Sequence, residues 1–64
     1  MVAKVMIAED NVRIFTNYQK VLASDENVKI VGYADDEEKA IKMYKELNPD
    51  ILLLDLGLPK KNEE

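Results

Sequence analysis

Three acidic residues sit where the chain could bring them together to do chemistry. Glu9 and Asp10 follow directly on Lys4–Ala8 (KVMIA), and Asp55 follows directly on Ile51–Leu54 (ILLL). Both runs are short and apolar and are closed by an acid, so both read as strands that end in carboxylates. If those strands are neighbours, the three side chains meet at one end of a sheet. Carboxylates held together repel, and at least one then binds its proton more tightly unless a cation sits among them. A hard divalent ion removes the conflict. Mg2+ takes carboxylate, carbonyl and water oxygens at about 2.1 Å, commonly with only one or two protein carboxylates. Such a site suits Mg2+ with a phosphoryl oxygen, and a carboxylate beside the ion can be the nucleophile that accepts the phosphoryl group. A plainer alternative stands beside this one. An acid after a strand often only caps the next helix, and Asp10 has that place.

Composition removes other chemistries. The chain has 64 residues with no Cys and no His. That excludes disulfides, thiolate and imidazole metal sites, and Ser-His or Cys-His nucleophilic pairs. Nine Lys/Arg against thirteen Asp/Glu give a net charge of −4, with no basic patch for nucleic acid. The longest apolar runs, Val5–Ala8 and Ile51–Leu54, fall far short of the ~20 residues a membrane span needs. The acid at Glu9 arrives too early for a signal-peptide core. These features lead us to expect a soluble, cytoplasmic chain.

The elements that must position the acids alternate strand and helix. Lys4–Ala8 reads as the first strand. Val12–Ala23 carries Ile14, Phe15, Tyr18, Val21 and Leu22 on one helical stripe, with Asn11 able to cap it. Val28–Ala34 (VKIVGYA) reads as a second strand. Asp35 or Asp36 can cap the next helix, and Asp35 with Glu38 has the form of a capping box. Ala40, Ile41, Tyr44 and Leu47 repeat the helical stripe, and Asn48-Pro49 ends it. Ile51–Leu54 is the third strand, followed by the turn signal Gly57-Leu58-Pro59. The order βαβαβ predicts an α/β fold with a parallel sheet. Strands one and three are apolar on both faces, as buried strands are, whereas strand two carries Lys29 and Gly32, as an edge strand can. The expected order is therefore 2-1-3, with right-handed crossovers placing the helices on opposite faces. Sites in such sheets form at the carboxyl ends of the strands. Met6, Met43, Tyr18 and Tyr44 are expected in the core or at its rim, and Tyr33 at the sheet edge.

These residues resemble a family. Ile7-Ala8-Glu9-Asp10-Asn11 and the run from Pro49-Asp50 through Leu54-Asp55-Leu56-Gly57-Leu58-Pro59 closely resemble the receiver domain of two-component response regulators. Val31-Gly32 with Ala34, and Glu38-Lys39-Ala40-Ile41, are similar to its second βα unit. The resemblance spans the whole chain. It implies a flavodoxin-like (CheY-like) doubly wound sheet, a sensor histidine kinase as partner, and Mg2+ as cofactor. It implies Asp55 as phosphoacceptor, Asp10 as a direct Mg2+ ligand, Glu9 as one acting through water, and the Gly57 backbone carbonyl completing the shell. Leu58 stands where Met is commoner.

The departures from the family carry further expectations. The family sheet has five strands in order 2-1-3-4-5, and this chain reads as the first three, a truncated receiver domain over residues 1–64. The Ser/Thr that ends strand four and the Lys that ends strand five have no counterpart here. Lys60 and Lys61 read as solvated loop residues, and Glu63 stands where the family often has Gly. The fragment is thus expected to bind Mg2+ but to accept phosphate poorly, and to be no enzyme beyond its own phosphoryl transfer. The outer edge of Ile51–Leu54 carries no Lys, Pro or bulge signal. It is expected to pair antiparallel with a second copy, completing a six-stranded sheet 2-1-3-3′-1′-2′. The competing readings are a self-associating structural half-domain, natural or engineered, with a vestigial acidic site, and a nucleotide- or flavin-binding half-fold. The last is weakened because Glu9-Asp10 repels anions and no Gly-rich cradle follows strand one.

Overall fold

The computed structural model describes residues 1–60. Lys61 and Glu63, singled out above, lie outside them. Five elements alternate: β1 (Ala3–Ala8), α1 (Val12–Ala23), β2 (Val28–Ala34), α2 (Glu37–Leu47) and β3 (Ile51–Leu54). The strands form one parallel sheet in the expected order β2-β1-β3. β1 starts one residue before the predicted Lys4, because Ala3 pairs with Val28 and donates its N–H to the Asn27 carbonyl at 2.8 Å.

Side chains set the helix ends. Asn11 has extended backbone, and its Oδ1 accepts the N–H groups of Arg13 (2.9 Å) and Ile14 (3.3 Å), two of the donors a helix start leaves unpaired. Asp36, and not Asp35, caps α2: its Oδ1 accepts the Lys39 N–H at 2.7 Å. The cap thus lies one residue beyond the Asp35–Glu38 pair, with Lys39 rather than an acid three residues on, and Asp35 pairs with the Lys39 ammonium at 2.9 Å. α2 ends at Asn48, which enters the left-handed region (φ 47°, ψ 58°) and donates its N–H to Tyr44. Asn tolerates that conformation, and Pro49 cannot continue the helix.

The helices cover opposite faces. Met6, Ala8, Ala34 and Ala40 form a buried cluster with Met43 and Leu58 against it, which is the α2 face. Alternation turns Ile7 and Tyr33 the other way, where Tyr33 stacks on Phe15 of α1 with ring centroids 4.1 Å apart. The β1–β2 register slips by one between Ile30 and Gly32, passing over Val31. Beyond the slip, a Cβ on Gly32 would lie 2.5 Å from Leu47 Cδ1 and 2.9 Å from Met43 Cε, so the missing side chain lets α2 close onto β2.

β1 is buried on both faces, as predicted: Val5, Met6, Ile7 and Ala8 are all buried. β3 is not. Ile51, Leu52 and Leu54 are exposed, because β1 is the one strand flanking β3 among the described residues. The α1 stripe is likewise half covered. Phe15 and Leu22 turn inward while Ile14, Tyr18 and Val21 stay exposed, since the helix lies chiefly on β2. Tyr44 is also exposed, and a groove of about 340 Å³ opens between α2 and β3, lined by Ile41, Tyr44, Leu52, Leu54, Leu56 and Leu58 among others.

Candidate functional site

Backbone pairing carries the acids to one place. At the end of β1 the Glu9 N–H donates to the Ala34 carbonyl of β2 at 2.9 Å, and the Ala8 carbonyl accepts the Asp55 N–H from beyond β3 at 3.0 Å. The ladders thus run one residue past the strands and align positions 9, 10 and 55 at the same rim. One carboxylate oxygen from each of Glu9, Asp10 and Asp55 lies within 4.8 Å of the other two.

Each acid is held differently. Glu9 is 4% exposed, and its Oε2 accepts the Asn11 N–H at 3.1 Å. Asp55 is half-buried. Its Oδ1 accepts the Gly57 N–H at 3.0 Å while its carbonyl accepts the Leu58 N–H at 3.1 Å, a tight turn that fixes the carboxylate. Asp10 is exposed, and the capping role that its sequence position allowed is taken by Asn11. Three like charges this close repel pairwise by about 1 kcal/mol at the dielectric of water and about 3.5 kcal/mol at a protein surface. Among the described residues no Lys or Arg forms an ion pair with any of the three. The donor set is all oxygen, which fits a hard divalent cation.

The Tyr33 phenol is pushed above its usual pKa, first by burial and then by the charges of Asp35, Asp10 and Glu9, with Lys39 opposing. Tyr33, read from sequence as an edge residue, is half-buried on the edge strand β2 and packs on Phe15. Gly57 lies beside the phosphoacceptor candidate: a Cβ there would sit 3.6 Å from Asp55 Oδ1 and 3.9 Å from Oδ2, in ordinary contact. The loop beyond is pinned to α2, as the Glu37 and Glu38 amides donate to the carbonyls of Pro59 (2.7 Å) and Lys60 (3.1 Å). No sequence signal marks that clamp, because it joins backbone groups from distant segments. Lys60 itself is exposed, as expected.

Residues 5–62 match the response regulator receiver domain family. The chain belongs to that family. It is 36% identical over 56 residues to the response regulator GacA of Pseudomonas aeruginosa, covering 88% of this chain and 26% of that protein. It is 32% identical over 59 residues to protein-glutamate methylesterase/protein-glutamine glutaminase 4 of Geobacter metallireducens, covering 92% of this chain and 17% of that protein. This receiver sequence also superimposes on the response regulator domain of Thermotoga maritima CheB with a TM-score of 0.89 and 27% identity. That match covers 97% of this chain and 46% of the CheB domain chain, so the receiver sequence spans about half the length of the solved domain. No helix among the described residues is long and apolar enough to cross a membrane.

Proposed function

We propose that this receiver chain is a phosphoacceptor module in which Asp55 takes a phosphoryl group with the help of Mg2+. The observation that carries the reading is the meeting of the Glu9, Asp10 and Asp55 carboxylates within 4.8 Å at the ends of adjacent strands. Asp10 and Asp55 would hold the cation directly, Glu9 would act through a water, and the Gly57 backbone carbonyl would complete the shell. Mg2+ supplies positive charge that offsets the carboxylates and orients the phosphoryl oxygens. The Gly57 N–H holds the Asp55 carboxylate in one orientation. An Asp55 oxygen attacks phosphorus and forms a new P–O bond. The bond from phosphorus to the donor breaks, and its electron pair leaves with the donor. The carboxylate has no proton to lose. The donor is the phosphohistidine of a cytoplasmic sensor kinase, for which acetyl phosphate is a small stand-in. The chain does no chemistry beyond its own phosphoryl transfer, and it accepts the group slowly on its own because no Lys or Arg pairs with the cluster among the described residues.

Acetyl phosphate with Mg2+ tests this. Intact-mass measurement should show one phosphoryl adduct that vanishes in Asp55→Asn and with EDTA. An adduct that survives both treatments refutes the assignment.

The exposed β3 favours a second reading, a self-associating structural module with a vestigial acidic site. In that reading the chain pairs with another copy through Ile51–Leu54, and Mg2+ leaves its tyrosine fluorescence unchanged. Sedimentation of a compact monomer at micromolar concentration speaks against the pairing.

A further inference from the structure

Glu9 and Asp36 are the two buried charged residues among those described. Glu9 belongs to the acid cluster. Asp36 stands outside it, at the start of α2. A carboxylate leaves water only at a cost, so its burial implies partners that compensate.

The first turn of α2 shows what that burial holds together. The first helical bond runs from the Ala40 N–H to the Asp36 carbonyl, which leaves the amides of Glu37, Glu38 and Lys39 without a partner inside the helix. Asp36 Oδ1 takes the Lys39 N–H at 2.7 Å. The other two amides go to a different part of the chain, Glu37 to the Pro59 carbonyl at 2.7 Å and Glu38 to the Lys60 carbonyl at 3.1 Å. Carbonyl oxygens at the positive end of a helix are further favoured by its dipole.

The segment those carbonyls close is the one that carries the phosphoacceptor candidate. It leaves β3 with the Asp55 N–H on the Ala8 carbonyl, and it turns with the Gly57 N–H on Asp55 Oδ1 and the Leu58 N–H on the Asp55 carbonyl. Leu58 packs against the buried cluster of Met6, Ala8, Ala34 and Ala40. Residues 55–60 are thus tied to β1 at one end and to α2 at the other. Contacts that orient a metal ligand raise metal affinity without touching the ion.

We infer that Asp36 is a positioning residue for the cation shell, because by capping α2 it sets the Glu37 and Glu38 amides against the Pro59 and Lys60 carbonyls and so fixes the turn that presents Asp55 and Gly57. This deepens the proposed Mg2+ site and rests on it. Asp36 acts through its accepting oxygen, not through its charge. The coupling runs in both directions: a cation that orders the turn also holds the two carbonyls on the helix amides.

Mg2+ alone is the probe, read by NMR on the whole chain. The amide shifts of Asp55, Gly57 and Leu58 give its dissociation constant. Asp36→Ala should raise that constant about fivefold, the worth of a lost cap and the lower end of typical coupling between sites. Asp36→Asn keeps an oxygen that caps as well as Asp does, so it should stay within about twofold of the parent. Equal weakening in the two variants assigns the effect to charge and overturns the positioning role. Gly32→Ala presses on Met43 and Leu47, in the second half of α2 and away from the clamp, and should leave the constant unchanged. Weakening as large as in Asp36→Ala overturns the inference by tracing it to general destabilisation. A further measurement needs no variant. Saturating Mg2+ should slow amide exchange at Glu37 and Glu38 by about fivefold or more, and leave Asn48, at the other end of α2, unchanged. Equal slowing at all three, or at none, overturns the coupling. A parent that binds Mg2+ no better than Asp36→Ala removes this inference alone. A parent whose Asp55 and Gly57 amides ignore Mg2+ removes the metal site and this inference with it.

Discussion

Replacing Asp55 by Asn removes one of three charges while keeping an oxygen that can accept the Gly57 N–H, so the turn survives the change. Two repulsive pairs disappear, Asp55 with Glu9 and Asp55 with Asp10, both with oxygens within 4.8 Å. Each pair is worth between about 1 and 3.5 kcal/mol, depending on the local dielectric. Asp10 is exposed and Asp55 only half-buried, which places the net gain near the lower end, about 1–2 kcal/mol at low ionic strength. For a chain of this size each kcal/mol moves the melting temperature by about 4–8 °C. Asp55→Asn should therefore melt higher than the parent in EDTA and low salt. Mg2+ should reverse the order. It stabilises the parent by about 1.4 kcal/mol for each tenfold rise above its dissociation constant, and the variant much less. Thermal melts followed by circular dichroism, with EDTA and across a Mg2+ series, measure both effects. Equal melting temperatures in EDTA, or equal Mg2+ gains in parent and variant, refute the carboxylate-cluster reasoning.

Three further outcomes follow from the packing. Asp36→Ala deletes the buried cap of α2 and should cost about 1 kcal/mol in urea denaturation; it should also raise amide exchange at Glu37 and Glu38, whose N–H groups hold the Pro59 and Lys60 carbonyls. Gly32→Ala puts a Cβ against Leu47 and Met43, and because both contacts are ends of flexible side chains the loss should stay near 1–2 kcal/mol, with changes confined to the α2 face by NMR shifts. The folded-state pKa of Tyr33 is raised, so its unfolded form loses the proton first. Stability attached to this group is intact below about pH 10 and is lost as pH climbs through the folded pKa. Tyr33→Phe should flatten that alkaline decline, and an unchanged slope above pH 10 counts against the burial of the phenol and, after it, the charges of Asp35, Asp10 and Glu9 as the cause of the shift.

Much of the fold was legible because local chemistry and the global pattern agree. The β-branched and aliphatic runs, the helical stripes and the Asn11 cap each carry a short-range cause, and α1, β2 and β3 fall on the boundaries read from sequence. The order 2-1-3 followed from one polar intrusion, Lys29 with Gly32, because an edge strand tolerates what a central one does not. The choice between Asp35 and Asp36, left open by the sequence, has an equally local reason. Either side chain can reach a helix amide, and only the path of the chain out of β2 chooses between them. β3 reads as apolar on both faces yet stays exposed on its outer side, because an all-apolar strand signals capacity for burial, whereas burial itself depends on what lies alongside.

The candidate site divides in the same way. The sequence alone determined which residues could bind a cation, since carboxylate chemistry is a property of side-chain type, and it put each acid directly after an apolar strand. Tertiary structure decided the rest. It brought Asp55 across 45 residues to Glu9 and Asp10, through the hydrogen bond from Asp55 to Ala8. It buried Glu9 while leaving Asp10 exposed, and it half-buried Tyr33 against Phe15. Charge and hydropathy are carried by single residues, but distance and burial belong to pairs, and pairs distant in sequence form only when the sheet closes.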